Sequence, residues 1–386
     1  MGRFLYFSTN YFTLSSANQF IQTKLHERQS AGNYRQLKPE SSLVDFCSND
    51  YLGFARSAIL KDNIDAEIAA QGHVANGSAG SRLLAGNTRY AEVLEAEIAA
   101  IHGYSAGLIY NSGYDANLGL LSSLPQRGDT IITDELVHAS IIDGARLSHA
   151  NRYKFKHNDI HSLEDQLKLA KGIVYVVVES IYSMDGDTAP LIDICAIVQK
   201  YNANLIVDEA HATGVFGLGL VHQLNLQTQV FAQVVTFGKG LGCHGAIILG
   251  SELLRNYLIN FSRSFIYTTA APLHNLAAIK MAYQLLDRSG AECILLQQNI
   301  QCFKAGFQNA NFELIASDSA IQCIVLKSNE KAKALSDLLQ SSGYDVRPIL
   351  SPTVASGSER LRICIHSFNT TQEIAGMLNL INNFTA

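Results

Sequence analysis

From about residue 90 onward the chain alternates helix-patterned segments with short, unbroken β-branched runs. These are Leu-Ile-Tyr at 108–110, Thr-Ile-Ile-Thr at 130–133, Ile-Val-Tyr-Val-Val-Val at 173–178, Leu-Ile-Val at 205–207, Val-Val-Thr at 234–236 and Ala-Ile-Ile-Leu at 246–249. A strand with one wet face alternates apolar and polar residues, so runs without a polar face are strands covered on both sides. With helices between them, they predict an α/β fold around a mostly parallel central sheet. After about 310 the runs shorten and alternate better, at 312–315, 321–326, 345–349 and 361–365, with helical stretches near 330–341 and 371–384. This predicts a smaller C-terminal α+β domain. The expected division is an N-terminal arm and helix over 1–50, a large domain over 51–285 and the small domain over 286–386.

In the first of these segments Phe20, Ile21, Leu25 and Tyr34 recur near helical spacing among Lys24, Arg28 and Arg35, ahead of Pro39. That pattern predicts an amphipathic helix and a linker over about 17–40. The aromatic stretch before it lacks the apolar core and cleavage site of a secretory signal and reads as an extension or arm. No run approaches the roughly 18 apolar residues of a membrane-spanning helix. A net charge of -5 supplies no electrostatic reason for nucleic acid or an anionic membrane as partner. The 7 cysteines show no Cys-x-x-Cys spacing and read as reduced thiols of a cytoplasmic protein.

Chemistry-bearing residues gather where the apolar runs end. The run at 205–207 leads into Asp208, with His211 three positions on, and the run at 234–236 leads into Gly238-Lys239-Gly240. Singly, an acid at a strand end is more often a helix cap, and a lysine among glycines a solvated loop residue. Together, at the strand ends where α/β sheets form their ligand crevices, they read as a pyridoxal 5'-phosphate (PLP) site. Its electron-withdrawing ring needs an ionised acid at the pyridine nitrogen, here Asp208, and a Schiff-base lysine, here Lys239. His211 is then placed to bond the phenolic oxygen and Thr236 the phosphate. Asn111-Ser-Gly113-Tyr114-Asp-Ala-Asn117 supplies a glycine-bearing turn ahead of a helix, a phosphate cradle against which Tyr114 would pack. The glycines flanking Lys239 are expected to let the backbone pass close to the same phosphate.

His138 follows the run at 130–133 and is placed to stack on the ring and relay a proton. Glu179, Ser180 and Ser183 follow the run at 173–178, at the same edge of a parallel sheet. Arg360 and Arg362 alternate along the apolar run 361–365 and so share a face, as a carboxylate clamp or as surface ion-pair partners. Two patterns are set aside. Gly240-Leu-Gly242-Cys-His-Gly245 matches a dinucleotide loop, but a strand-like run follows it rather than a helix. His157 and His161 have the spacing of a metal-binding helix without a third ligand, and read as a polar surface segment.

The chain resembles the α-oxoamine synthases among the fold-type I PLP enzymes, of the aspartate aminotransferase-like fold. The resemblance runs from about residue 20 to the C-terminus. It is carried by Ser48-Asn49-Asp50-Tyr51-Leu52-Gly53, Gly77-Ser-Ala-Gly80-Ser81-Arg82, the 111–117 turn, His138-Ala-Ser, Ser183-Met-Asp-Gly-Asp187, Asp208-Glu-Ala-His211-Ala-Thr-Gly214, Thr236-Phe-Gly-Lys239-Gly240, Tyr267-Thr268-Thr269 and Arg360-Leu-Arg362. It implies PLP as cofactor and a homodimer with its sites at the interface. By position it assigns catalytic work to Lys239, His138, Asp208 and His211. Gly113, Tyr114, Glu179, Ser183 and Thr236 match cofactor contacts, and Thr268 or Thr269 would reach the phosphate of the neighbouring subunit. Arg35, Asn49, Thr353 and Arg362 fall where the family contacts substrate.

The implied reaction is a decarboxylative condensation of L-alanine with a pimeloyl thioester, of coenzyme A or of a carrier protein, in biotin synthesis. A sister activity using glycine and acetyl-CoA, or a non-catalytic PLP-carrying protein, stands as the alternative. Tyr114, where many relatives carry Phe, and Cys243-His244, where small residues are common, depart from the pattern.

Overall fold

The computed structural model describes residues 15–72 and 75–385. At its centre is a seven-stranded sheet of β1 (Ala106–Tyr110), β2 (Thr130–Asp134), β3 (Asn151–Phe155), β4 (Val174–Glu179), β5 (Asn204–Asp208), β6 (Ala232–Thr236) and β7 (Ala246–Gly250). The spatial order is β1-β7-β6-β5-β4-β2-β3. The pairs β6/β5, β5/β4, β4/β2 and β2/β3 are parallel. β7 is antiparallel to both β1 and β6, so β1 points the same way as the others. The strands ending in Tyr110, Asp134, Glu179, Asp208 and Thr236 therefore open on one edge.

Crossover helices explain the doubly buried strands. Gly113–Ser123, Ala139–Leu147, Ile160–Leu169 and Leu191–Lys200 follow β1, β2, β3 and β4 in turn. Several begin with a side-chain cap, as where Ser112 Oγ accepts the Asp115 N–H at 3.0 Å and Asp159 accepts that of Ser162 at 2.9 Å. Successive residues of β7 enter different cores: Ile247 and Leu249 pack with Ile98 and Leu276, and Ala246 and Ile248 with Leu120 and Ile132. The strand that periodicity does not predict is β3. Its Asn-Arg-Tyr-Lys-Phe sequence is polar because it is the sheet edge, with Asn151, Arg152 and Lys154 exposed.

The C-terminal unit is a four-stranded antiparallel sheet of β8 (Glu313–Leu314), β9 (Ile321–Val325), β10 (Arg347–Ile349) and β11 (Arg360–Cys364), ordered β10-β11-β9-β8. Helices Asn329–Ser341 and Thr371–Asn383 pack with it, the second opened by a capping box between Thr370 and Glu373. Its core, with Ile324, Leu335, Ile363 and Met377, is continuous with that on the Ile247 face of the large sheet.

Near the N-terminus, helix Ser16–Ser30 forms where aromatic and aliphatic spacing predicts one, yet none of its residues is buried in the single chain. The arm expected ahead of it lies largely outside the described residues. Further along, Val44–Asp45 pairs in parallel with Tyr344–Asp345. The Cys364 and Ser367 N–H groups donate to Phe46 O and Tyr51 O, both at 2.9 Å. Residues 44–51 thus dock on the C-terminal unit, beside β11. Among the described residues no helix is long and apolar enough to cross a membrane.

His157 is not the polar surface residue its sequence neighbourhood suggests. Half-buried ahead of helix Ile160–Leu169, its Nδ1 lies 3.0 Å from Asp134 and its Nε2 2.7 Å from Asp187, tying the end of β2 to the loop after β4. His161, its expected companion, is exposed. Burial opposes the charge of His157, but Asp134 and Asp187 outweigh it and push the imidazole from 6.5 up to about 10. A raised pKa stabilises the fold fully below 6.5 and loses that stabilisation as pH rises through about 10. His157→Gln should therefore lose more unfolding free energy in urea titrations at pH 6 than at pH 9, and an equal loss at both would refute the charged bridge.

Candidate active site

Asp208 ends β5 only 5% exposed. Its Oδ1 accepts the Ala210 N–H at 2.9 Å and its Oδ2 accepts from Asn117 Nδ2 at 2.7 Å. Asn117 lies one turn into the helix that follows β1 and also donates to Ser140 Oγ at 3.0 Å. Ser140 in turn meets the stacking candidate His138: its hydroxyl is 2.8 Å from Nδ1, and its backbone N–H donates to the same nitrogen at 3.2 Å. The acid at the end of β5 and the imidazole after β2, with β4 between them, are thus joined through two buried residues that the strand-end reading does not single out.

Lys239 sits in the loop 237–245, which joins the antiparallel β6 and β7 and is closed by Cys243 N–H to Phe237 O and Gly242 N–H to Lys239 O. Its Nζ lies 2.9 Å from His211 Nε2. Burial lowers the proton affinity of the amine, against the pull of Asp208 and Glu179. Burial, with Lys239 next to it, also holds the His211 imidazole far below its ordinary value, so the ring is neutral at physiological pH. Glycines of this loop also make close backbone contacts. A Cβ on Gly240 would lie 2.4 Å from Thr213 O, and one on Gly242 would lie 2.3 Å from the Ala55 nitrogen. They let the lysine loop press against two other stretches of backbone.

Gly113 begins the helix after β1, and a Cβ there would lie 2.5 Å from Thr236 Oγ1. The first turn of this helix and the Thr236 hydroxyl therefore lie against each other, bringing the remaining N-terminal N–H groups and a hydroxyl together. Tyr114 is 42% exposed with its hydroxyl on Asp143 at 2.6 Å. Thr268 Oγ1 and Thr269 O both accept from Asn111 Nδ2, at 2.8 and 3.0 Å, which places them beside the end of β1 in this same chain. Glu179 is 2% exposed, and its carboxylate is filled by the backbone N–H groups of His138, at 2.5 Å, and Ser183, at 3.3 Å. Burial, then the nearby Asp208, raises its pKa.

The paired arginines separate. Arg360 and Arg362 share a face of β11, but Arg360, 7% exposed, is spent on Asp185, Met184 O and Ser358 O. It is an ion-pair partner, buried rather than at the surface. Arg362 donates from Nε to Ser183 O at 2.7 Å and from a terminal nitrogen to Asn49 Oδ1 at 2.9 Å. Arg35 and Thr353, 318 positions apart, meet at 3.3 Å. With Arg28, Lys38 and Lys333 they line a cavity of about 470 Å³.

A residue absent from the strand-end reading links the two halves. Tyr51, fully buried, has its hydroxyl 2.7 Å from His211 Nδ1 and 3.0 Å from Asn49 Oδ1. The only sequence signal for it is its place beside Asn49. Asn117 and Ser140 likewise stand in motifs already noted, but only the fold turns them toward Asp208.

The family model described as aminotransferase class I and II matches residues 41–378. The 8-amino-7-oxononanoate synthase of Emericella nidulans is 42% identical, with 88% of this chain and 89% of that protein covered. The protein of the same name from Marinobacter nauticus is 37% identical over 93% and 94%. Among solved structures, the 8-amino-7-oxononanoate synthase of Francisella tularensis superimposes with a TM-score of 0.76 at 30% identity, covering 89% of this chain and 98% of that one. Serine palmitoyltransferase of Sphingomonas wittichii does so with a TM-score of 0.85 at 25% identity, covering 96% and 97%. A match that spans both sheets and every strand end of the site shows that the chain belongs to the aminotransferase class I and II family.

Proposed function

We propose that this chain is a PLP-dependent 8-amino-7-oxononanoate synthase, condensing L-alanine with a pimeloyl thioester and releasing CO2 in biotin synthesis. The observation that carries the reading is one unbroken set of contacts, from the buried Lys239 amine through His211, Tyr51 and Asn49 to the Arg362 guanidinium. It puts an amine that can bond an aldehyde within reach of a group that can hold an amino-acid carboxylate. The name of the relatives, 8-amino-7-oxononanoate synthase, supplies the product, and the substrates are those the family resemblance implies.

The residues present fit the cofactor. Asp208 would hold the pyridine nitrogen, His211 the phenolic oxygen and Lys239 the aldehyde carbon. Gly113, Thr236 and Ser183 would hold the phosphate end with Tyr114 beside it, and His138 would cover the ring. Thr268 or Thr269 would serve the second copy of a homodimer, and the wholly exposed helix Ser16–Ser30 is consistent with such pairing. When bound, PLP supplies an electron sink that stabilises negative charge at the amino-acid α-carbon.

The chain's own residues do the rest. Arg362 and Asn49 bind and orient the alanine carboxylate. Lys239, whose burial favours the neutral amine, takes the α-proton and later returns one. Asn117 and the Ala210 N–H hold the Asp208 carboxyl group in place, aimed into the site. Glu179 acts through backbone, fixing His138 and the Ser183 loop. Arg35 and Thr353, at the mouth of the cation-lined cavity, would meet the acyl donor, whose pantetheine phosphate is common to coenzyme A and carrier proteins.

Lys239→Ala should fold yet retain no PLP after borohydride reduction, and lose roughly a thousandfold or more in rate. Covalent retention would place the aldehyde on another amine. Arg362→Ala should raise the KM for alanine roughly a hundredfold, while Arg360→Ala leaves KM near normal and lowers the melting temperature because Asp185 loses its partner. Equal KM effects would return Arg360 to the substrate site. Of glycine, alanine and serine, each supplied with pimeloyl thioester, alanine should give the fastest CO2 release. A preference for glycine would move the protein to a sister activity.

A further inference from the structure

His138 caps the helix Ala139–Leu147 with its own side chain, Nδ1 taking the Ser140 backbone N–H at 3.2 Å. The next two N–H groups of the helix, those of Ile141 and Ile142, go to His138 O instead. A backbone N–H only donates, so Nδ1 presents its lone pair, and the hydrogen of the neutral ring is on Nε2. The fully buried Ser140 hydroxyl, 2.8 Å from the same nitrogen, has its direction fixed from the other side. Its oxygen accepts from Asn117 Nδ2 at 3.0 Å, and that amide group also donates to Asp208 Oδ2 at 2.7 Å. An NH2 group only donates, so the hydroxyl keeps its own hydrogen, and among the described residues His138 Nδ1 is the acceptor it meets.

Every hydrogen in this row is thereby assigned. A hydrogen on Nδ1 would instead face the Ser140 N–H, leaving that donor unpaired at the positive end of the helix. Desolvation of the ring, aided by Lys239 and opposed by Asp208 and Asp143, also lowers its proton affinity. We propose that Ser140 is a positioning residue that locks His138 as the Nε2–H tautomer through its hydroxyl and its backbone N–H, so that His138 enters the reaction as a hydrogen-bond donor and not as a base. The ring is exposed in the single chain, and among the described residues none accepts from Nε2. That N–H is therefore free for a substrate oxygen on which negative charge gathers. This narrows the proton relay expected of His138 and leaves the α-proton to Lys239. The inference rests on the placement of His138 over the cofactor ring proposed above.

The tautomer is read without cofactor, from the nitrogen-15 shifts of histidine-labelled apoenzyme, the His138 signals being those that His138→Gln removes. At pH 7 the wild type should show a bare Nδ1 and a protonated Nε2. Ser140→Ala, which keeps the N–H and loses the hydroxyl, should move the tautomer ratio about fivefold toward Nδ1–H, the worth of one hydrogen bond. Ser140→Pro removes both donors at a first-turn position that tolerates proline and should move it further, while Ser140→Thr keeps both and should not. A wild-type ring protonated on Nδ1 would overturn the proposal, as would wild-type shifts in Ser140→Ala. Should Ser140→Pro not fold, the wild type and Ser140→Ala decide. In the holoenzyme His138→Gln, which can donate but cannot take a proton, should retain about tenfold more kcat than His138→Leu. Equal losses would return His138 to the role of a base. A wild-type holoenzyme that releases no CO2 from alanine and pimeloyl thioester would instead sink the functional reading, with the tautomer already settled in the apoenzyme.

Discussion

Holding a carboxylate, an amine, an imidazole and a guanidinium together away from bulk water is costly unless each is hydrogen-bonded, and the surroundings of this site follow from that requirement. Asp208 is met by Asn117 and a backbone N–H, Arg362 by Ser183 O and Asn49, and His211 by Tyr51 and Lys239. Burial makes charge on Lys239 and His211 expensive and lowers the proton affinity of both beside an anchored acid. The same burial that threatens stability thus prepares the chemistry.

Several of these partners come from chain segments remote in sequence, which requires close backbone approach. Gly240 and Gly242 supply it for the lysine loop against residues 213–214 and 54–55, and Gly113 supplies it for the helix that meets Thr236. Gly186, with φ +78°, lets the loop after β4 rest on Ile321 of β9 and so carries Ser183 to Arg362. His157 holds the other end of that loop through Asp187. Glu179 belongs to the same scaffold, since both its oxygens are spent on the amides that place His138 and Ser183.

Much of the large sheet is legible in the sequence because doubly buried parallel strands leave no polar position to blur the pattern. β3 escapes that reading, being an edge strand whose polar residues are those of a loop. The strand-end residues are legible for a related reason: Asp208, His211 and Lys239 interrupt apolar runs where a parallel sheet opens its crevice. The arginines of β11 are not separable by spacing, since both lie on one face. What separates them is Asp185, which lies close enough to Arg360 to occupy it and leaves Arg362 to Asn49. His157 shows the opposite failure, a motif read as surface because its two carboxylates lie 23 and 30 residues away.

The sequence by itself determined the α/β framework, the family and the residue types that the chemistry needs, since apolar periodicity and motif order are local properties of the chain. Only the tertiary structure decided that the N-terminal segment 44–51 returns to β11. By doing so it brings Asn49 and Tyr51 against Arg362 and His211 across 313 and 160 positions. No local pattern encodes that closure. It depends on a parallel pairing with Tyr344–Asp345 and on backbone bonds to Cys364 and Ser367, which exist only once both sheets have packed on one continuous core.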